Sequence, residues 1–285
     1  MVGAIGIPAA VGIVYVGGWT FAAAVVLLTV LALREFYMLA ESKHASPNIG
    51  LGIGWSITLQ GVISWQVLQG AGGWGAYSAA VSAAVLLLFG SLVTLAVEIF
   101  RGKENALLNT AITVFGVAYI TLALSSLLLL RCCVTREMDG LWSDGGASLV
   151  LALFASVWAA DSAAYFAGVQ FGRHKLLPRV SPKKSWEGAI AGFVASVAVF
   201  MWFASTLLPG VDLLLAAVCG AVVGIVGPLG DLAESLLKRD AVVKDSGGIL
   251  PGHGGVFDRF DSLLFAAPAL LVIMFRSAIV SLLTP

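Results

Sequence analysis

Three observations predict an all-α polytopic integral membrane protein with about nine transmembrane helices. The chain is 59% hydrophobic and 11% charged, with a mean hydropathy of +0.98, whereas a soluble domain carries about 25% charged residues. Its apolar residues come in long runs, and about 20 such residues cross a bilayer core as a helix. The few charges gather into two short polar stretches rather than spreading over helix faces.

The runs lie near 3–17, 19–40, 50–69, 74–97, 106–130, 148–171, 186–208, 211–237 and 263–283. Gly17-Gly18, Gly70-Ala71-Gly72-Gly73 and Pro209-Gly210 break the chain between them, as residues that end regular structure do. The first run lacks a basic region ahead of it and a clear small-residue cleavage site, so a removable signal peptide is not expected. No internal repeat or low-complexity linker is visible. We expect a lipid-facing N-terminal part over 1–147, suited to dimerisation, and a catalytic part over 148–285.

Loop charges orient the bundle. Counting loops by the helices they join, the even side holds Arg34, Lys43, Arg101, Lys103, Arg173, Lys175, Arg179, Lys183, Lys184, Lys238, Arg239, Lys244 and Arg259, 13 of the 16 basic residues. The odd side has only Arg131 and Arg136, and Arg276 lies in the last run. Basic residues mark cytoplasmic loops. The expectation is therefore a cytoplasmic N-terminus, an inner-membrane location and both polar stretches facing the cytoplasm. The net charge is zero, which argues against a nucleic-acid partner. Cys132, Cys133 and Cys219 have neither metal-ligand nor disulfide-framework spacing and read as small buried hydrophobes. Trp19, Trp74, Trp142 and Trp186 fall near helix ends, where they anchor at the membrane interface.

The C-terminal polar stretch runs from Gly230 to Asp261. Asp231, Glu234, Ser235 and Lys238 fall at i, i+3, i+4 and i+7 and share one helix face. Charges inside a membrane helix are costly, so such a stripe implies a buried polar cavity. Asp258 and Asp261, three apart, share a face at the start of the next helix. Asp231, Asp258 and Asp261 can then converge as hard oxygen ligands of the kind Mg²⁺ takes, with phosphates filling the remaining positions. Between the two helices lie Ser246-Gly247-Gly248 and Pro251-Gly252-His253-Gly254-Gly255. Glycines let backbone N–H groups approach phosphate, while Lys238, Arg239, Lys244 and Arg259 supply positive charge. Carboxylates for a metal beside glycines and cations for phosphate are what phosphoryl or nucleotidyl transfer needs. A solvated cytoplasmic loop accounts for the basic residues, but not for Asp231 and Glu234 within an apolar helix.

The segment from Ser235 to Asp261 closely resembles the signature of the phosphatidate cytidylyltransferases, the CDP-diacylglycerol synthases. The resemblance implies a polytopic, dimeric membrane enzyme of phospholipid biosynthesis that makes CDP-diacylglycerol and pyrophosphate from CTP and phosphatidate. It implies Mg²⁺, held by Asp231 and Asp258 with Asp261 beside them, and a potassium ion. It covers roughly residues 150–285. Before that, only Arg34-Glu35-Phe36-Tyr37 gives a weak echo of the family.

A second polar stretch spans Trp158 to Gly188. Asp161 sits in an apolar helix with Tyr165 one turn later, followed by Phe171-Gly-Arg-His-Lys175 and Ser181-Pro-Lys-Lys-Ser-Trp-Glu-Gly188. The family's other recurrent region is similar, with Thr usual at the position of Ser185. Arg173, Lys183 and Lys184 are expected to bind CTP or lipid phosphate, with Asp161, Ser181 and Glu187 completing the cavity and His253 and Ser235 serving the same substrates. Ser181 before Pro182 also suits a helix cap or turn, and Glu187 a first helical turn. The two lysines equally suit positive-inside anchoring. An ion-coupled transporter would need two related halves with broken helices, which are not visible, and intact acidic residues argue against an inactive scaffold. A transferase for another lipid phosphate, or a polyprenol kinase, stays open on sequence.

Overall fold

The structure is a computed structural model that describes residues 2–69, 73–132, 145–208, 211–247 and 254–275. Among these residues nine helical rods follow one another. They are α1 (Val2–Val16), α2 (Gly18–Glu41), α3 (Ile49–Gln69), α4 (Gly73–Arg101), α5 (Ala106–Cys132), α6 (Gly145–Phe171), α7 (Trp186–Leu207), α8 (Leu213–Asp240) and α9 (Phe257–Met274). The first eight coincide with apolar runs, and α9 begins in the polar stretch ahead of the last run, whose end lies outside the described residues. Helices α2 and α4 to α8 are long and apolar enough to cross a membrane, as expected of a multi-pass membrane protein. The other three fall short for visible reasons. Helix α1 has 15 residues, α3 dilutes its apolar surface with Gln60, Gln66 and Gln69, and α9 opens on Asp258, Arg259 and Asp261. Helix α5 is interrupted at Val117–Thr121 by a π-helical turn.

The connection between α6 and α7 departs from the all-α expectation. It folds as a two-stranded antiparallel hairpin, β1 (Lys175–Leu177) and β2 (Ser181–Ser185), with Lys175 opposite Ser185 and Leu177 opposite Ser181. Pro182 removes one N–H from β2, a loss that a ladder with free edges tolerates. The hairpin also corrects the expected cap. Ser181 lies on the strand, and the hydroxyl that opens α7 is Ser185, whose Oγ accepts the Gly188 N–H at 3.2 Å. Ser185→Ala is expected to cost about 1 kcal/mol, the worth of such a cap, and to lower the melting temperature in detergent by about 2–4 °C. Glu187 does sit in the first turn of α7. Its carboxylate accepts the His174 N–H at 3.2 Å and contacts His174 Nδ1 at 2.7 Å, so it fastens the hairpin to the helix.

Small residues set how closely the C-terminal helices pack. Lipid tails are as apolar as leucine, so membrane helices associate through close backbone contact and polar bonds. A Cβ on Gly192 would stand 2.8 Å from the Ala160 carbonyl, and one on Gly188 would stand 2.6 Å from that of Ala164, which brings α7 against α6. Ser196 Oγ donates to the Gly220 carbonyl at 2.9 Å and joins α7 to α8. In the N-terminal helices, Gln60 donates to Thr29 at 2.8 Å, Thr121 to Ser56 at 2.9 Å, and the buried Tyr37 hydroxyl to the Thr113 carbonyl at 2.8 Å. These bonds tie α2, α3 and α5 into one unit. Aromatic contacts of Phe36 and Tyr119 with Phe257 then join that unit to the start of α9.

Candidate active site

The two polar stretches meet. Lys184, on β2, pairs with Asp231 of α8 at 2.7 Å, and both are only partly exposed. Asp161 of α6 lies within electrostatic reach of Asp231, Asp261 and Lys184. Helices α8 and α9 approach closely because α8 offers Gly230 to the Asp261 carbonyl, where no Cβ would fit. The polar face read from α8 is present as expected. Ser235 Oγ donates to Asp231 at 3.4 Å, and Lys238 pairs with Glu234 one turn earlier at 2.7 Å.

The carboxylates that share one small volume are Asp231, Glu234 and Asp261, each offering an oxygen within 4.8 Å of the others. Asp258 points differently from the grouping expected on sequence. Its oxygens accept the Ser246 N–H at 3.1 Å and the Gly255 N–H at 2.9 Å, and Lys238 Nζ stands 3.1 Å away. Lys238 thus bridges Glu234 and Asp258. Asp258 precedes the apolar run of α9. Its burial opposes ionisation, but Glu234, the Gly255 amide and Lys238 outweigh that and hold its carboxyl well below the usual carboxylate range.

The glycines around this loop answer to contact rather than to composition. Gly254 has φ +80°, and a Cβ there would stand 2.6 Å from Asp258 Oδ2. At Gly255 a Cβ would run into Ser246 and Glu35. The other predicted cations, Arg173, Lys183, Arg239, Lys244 and Arg259, are exposed, and Arg239 donates to the Val243 carbonyl at 3.4 Å. Ser181 and Glu187 serve the hairpin. His253 lies outside the described residues.

Two further residues belong to the site. Glu35 of α2 is 1% exposed. Its Oε2 accepts the Phe257 N–H at 2.8 Å and the Ser246 hydroxyl at 3.2 Å. Its sequence signal was the short Arg34-Glu35-Phe36-Tyr37 echo. Tyr119, on the π-helical turn, places a buried hydroxyl, without a hydrogen-bond partner among the described residues, within electrostatic reach of Asp261 and Glu234. Nothing in its sequence surroundings sets it apart from a packing aromatic.

Comparison with known proteins shows what the whole chain is similar to. A model of the cytidylyltransferase family matches residues 1–277. The chain is 32% identical over 281 residues to a protein of Synechocystis sp. named phosphatidate cytidylyltransferase, covering 93% of this chain and 91% of that protein. A Staphylococcus haemolyticus protein of the same name is 32% identical over 265 residues, covering 93% of each. A third, from Haemophilus influenzae, is 46% identical over 127 residues, covering 43% of this chain and 44% of that protein.

Proposed function

Because this chain belongs to the cytidylyltransferase family, we propose that it transfers CMP from CTP to phosphatidate, giving CDP-diacylglycerol and pyrophosphate. The observation that carries this reading is the joining of the acidic group on α8 and α9 to the basic hairpin through Lys184 and Asp231. A phosphatidate oxygen attacks the α-phosphorus of CTP. One P–O bond forms, the bond to pyrophosphate breaks, and the attacking phosphate is already largely anionic near neutral pH. No side chain has to remove a proton or form a covalent intermediate. What the chain supplies is position and charge: Lys184 and Lys238 beside the acidic group, and Arg173, Lys183, Arg239, Lys244 and Arg259 for the pyrophosphate and the lipid headgroup.

The oxygen donors of Asp231, Glu234 and Asp261 suit Mg²⁺, with Asp258 adjoining through Lys238. Such an ion would neutralise charge on the reacting phosphates. A potassium ion beside the same carboxylates is part of the proposal. The basic loops favour an inner membrane with the N-terminus and the site on the cytoplasmic side. Residues 148–285 hold most of the chemistry. Homodimerisation would use the N-terminal part, where only 11% of the apolar window of α4 is buried by the rest of the chain.

The test offers purified protein CTP labelled in the α-phosphate, with phosphatidate or with a polyprenyl phosphate, with and without Mg²⁺. Label should enter the lipid phase with phosphatidate and Mg²⁺ only. Labelling of the polyprenyl phosphate instead, or of neither lipid, refutes the proposal.

A further inference from the structure

Helix α9 begins without a cap of its own. Val256 precedes it and offers no side-chain acceptor, so the first N–H groups of the helix need partners from elsewhere. Glu35 provides one from a position 222 residues away, accepting the Phe257 N–H at 2.8 Å. The same oxygen accepts the Ser246 hydroxyl at 3.2 Å. From the other side, Asp258 accepts the N–H groups of Ser246 and Gly255. The neck of the glycine-rich segment, Ser246 on one strand and Gly255 to Phe257 on the other, is therefore gripped by two carboxylates, one from α2 and one from α9. The grip leaves no slack. A Cβ on Gly247 would stand 2.5 Å from Glu35 Oε1, and one on Gly255 would overlap Glu35 and Ser246. A buried carboxylate is costly to keep, and the second oxygen of Glu35 has no hydrogen-bond partner among the described residues. Ordinary packing between α2 and α9 would be served by an apolar side chain of similar size.

We propose that Glu35 is a positioning residue of the transfer reaction: it caps α9 in trans and clamps the glycine-rich neck, so that productive binding of CTP depends on the N-terminal helices. The proposal rests on the cytidylyl-transfer reading above. Its logic is mechanical. The turn that Glu35 caps carries Asp258 and leads to Asp261, and the neck it clamps holds Asp258 against Lys238. The neck lies ahead of the apolar part of α9, in a stretch that carries the exposed Lys244 and Arg259, so we assign it to the nucleotide and the bilayer side to the lipid. Loosening the clamp therefore acts on the nucleotide side.

The test compares full-length wild type, Glu35→Gln, Ser246→Ala and the double variant in detergent, varying CTP and phosphatidate separately. Glu35→Gln keeps the shape and removes the charge. It should raise KM for CTP about 10-fold or more, the worth of lost charge-assisted hydrogen bonds, with KM for phosphatidate unchanged within about 2-fold. Ser246→Ala should raise KM for CTP by a smaller factor. The double variant should be no worse than Glu35→Gln alone, because both changes break one contact. Hydrogen exchange should quicken at residues 246–247 and 254–258 but not in α6 to α8. Equal rises in both KM values, multiplicative effects in the double variant, or a neck that exchanges as in wild type overturn the positioning role. If Glu35→Gln does not fold, an unchanged KM for CTP in Ser246→Ala overturns it as well. Wild-type protein that labels no phosphatidate refutes the reading of function instead, so the two failures are told apart.

Discussion

Replacing Asp231 by Asn should abolish CMP transfer while leaving the protein folded. Asp231 sits where three strands of the site cross: it is one of the three acids that share a small volume, it pairs with Lys184 of the hairpin, and it accepts from Ser235. Asn preserves the volume and the acceptor for Ser235 but removes the charge. Losing one preorganised charge at a reacting phosphate costs about 10²–10³ in kcat, and loss of the proposed metal ligand would add to it. Stability is another matter. The pair with Lys184 is about a third exposed at each end, and such pairs contribute about 0–1 kcal/mol. We expect kcat to fall by about three orders of magnitude and the melting temperature to stay within about 4 °C. Near-wild-type CDP-lipid formation by Asp231→Asn would sink the assignment.

Lys238→Met should have the reverse signature, with a large loss of stability. Lys238 is 13% exposed and stands between Glu234 and Asp258, whose side chains are 2% and 9% exposed. Methionine fills the same space without the ammonium group. The buried Glu234 and Asp258 side chains then lose the ammonium group they share, and breaking a buried pair in this way costs about 3–5 kcal/mol. For a chain of this size that corresponds to a melting temperature lower by about 10 °C. Adding Glu234→Gln should be clearly non-additive with it, because Glu234, Lys238 and Asp258 share one set of contacts. A Lys238→Met protein that melts with the wild type would show that Lys238 is not holding these acids together.

The sequence made some of this legible and hid the rest for physical reasons. Runs of apolar residues fix where membrane helices lie, so the first eight rods appear where the composition places them, while α9 starts in the polar stretch ahead of its run. The i, i+3, i+4, i+7 spacing of Asp231, Glu234, Ser235 and Lys238 puts them on one face, and they are found there. That spacing does not say on which side of a neighbouring helix a carboxylate falls. Hence Glu234, rather than Asp258, joins Asp231 and Asp261. The hairpin escaped notice because strands of 3 and 5 residues are too short to show an alternating pattern, and Ser181 and Ser185 both stand plausibly ahead of α7. Glu35 is the deepest case. A single carboxylate in an apolar helix announces a partner, but nothing local reveals that the partner lies 211 positions away.

The π-helical turn in α5 settles a problem of phase. An α-helix advances 100° per residue, so one helix presents a fixed angular sequence of side chains along its length. Helix α5 has two appointments to keep. Before and within the turn, the Thr113 carbonyl must meet Tyr37, and Tyr119 must face Phe257 and the acids beyond it. From Thr121 onward, its residues must meet Ser56 of α3 and bury Leu124 and Leu127 in the core. The wide turn at Val117–Thr121 takes up the angular difference as one residue more than the regular winding would hold. Removing that residue would leave every side-chain type in place and rotate one half of the helix by about 100° against the other. The fault would be one of timing along the chain, and no substitution of a single side chain corrects a rotation.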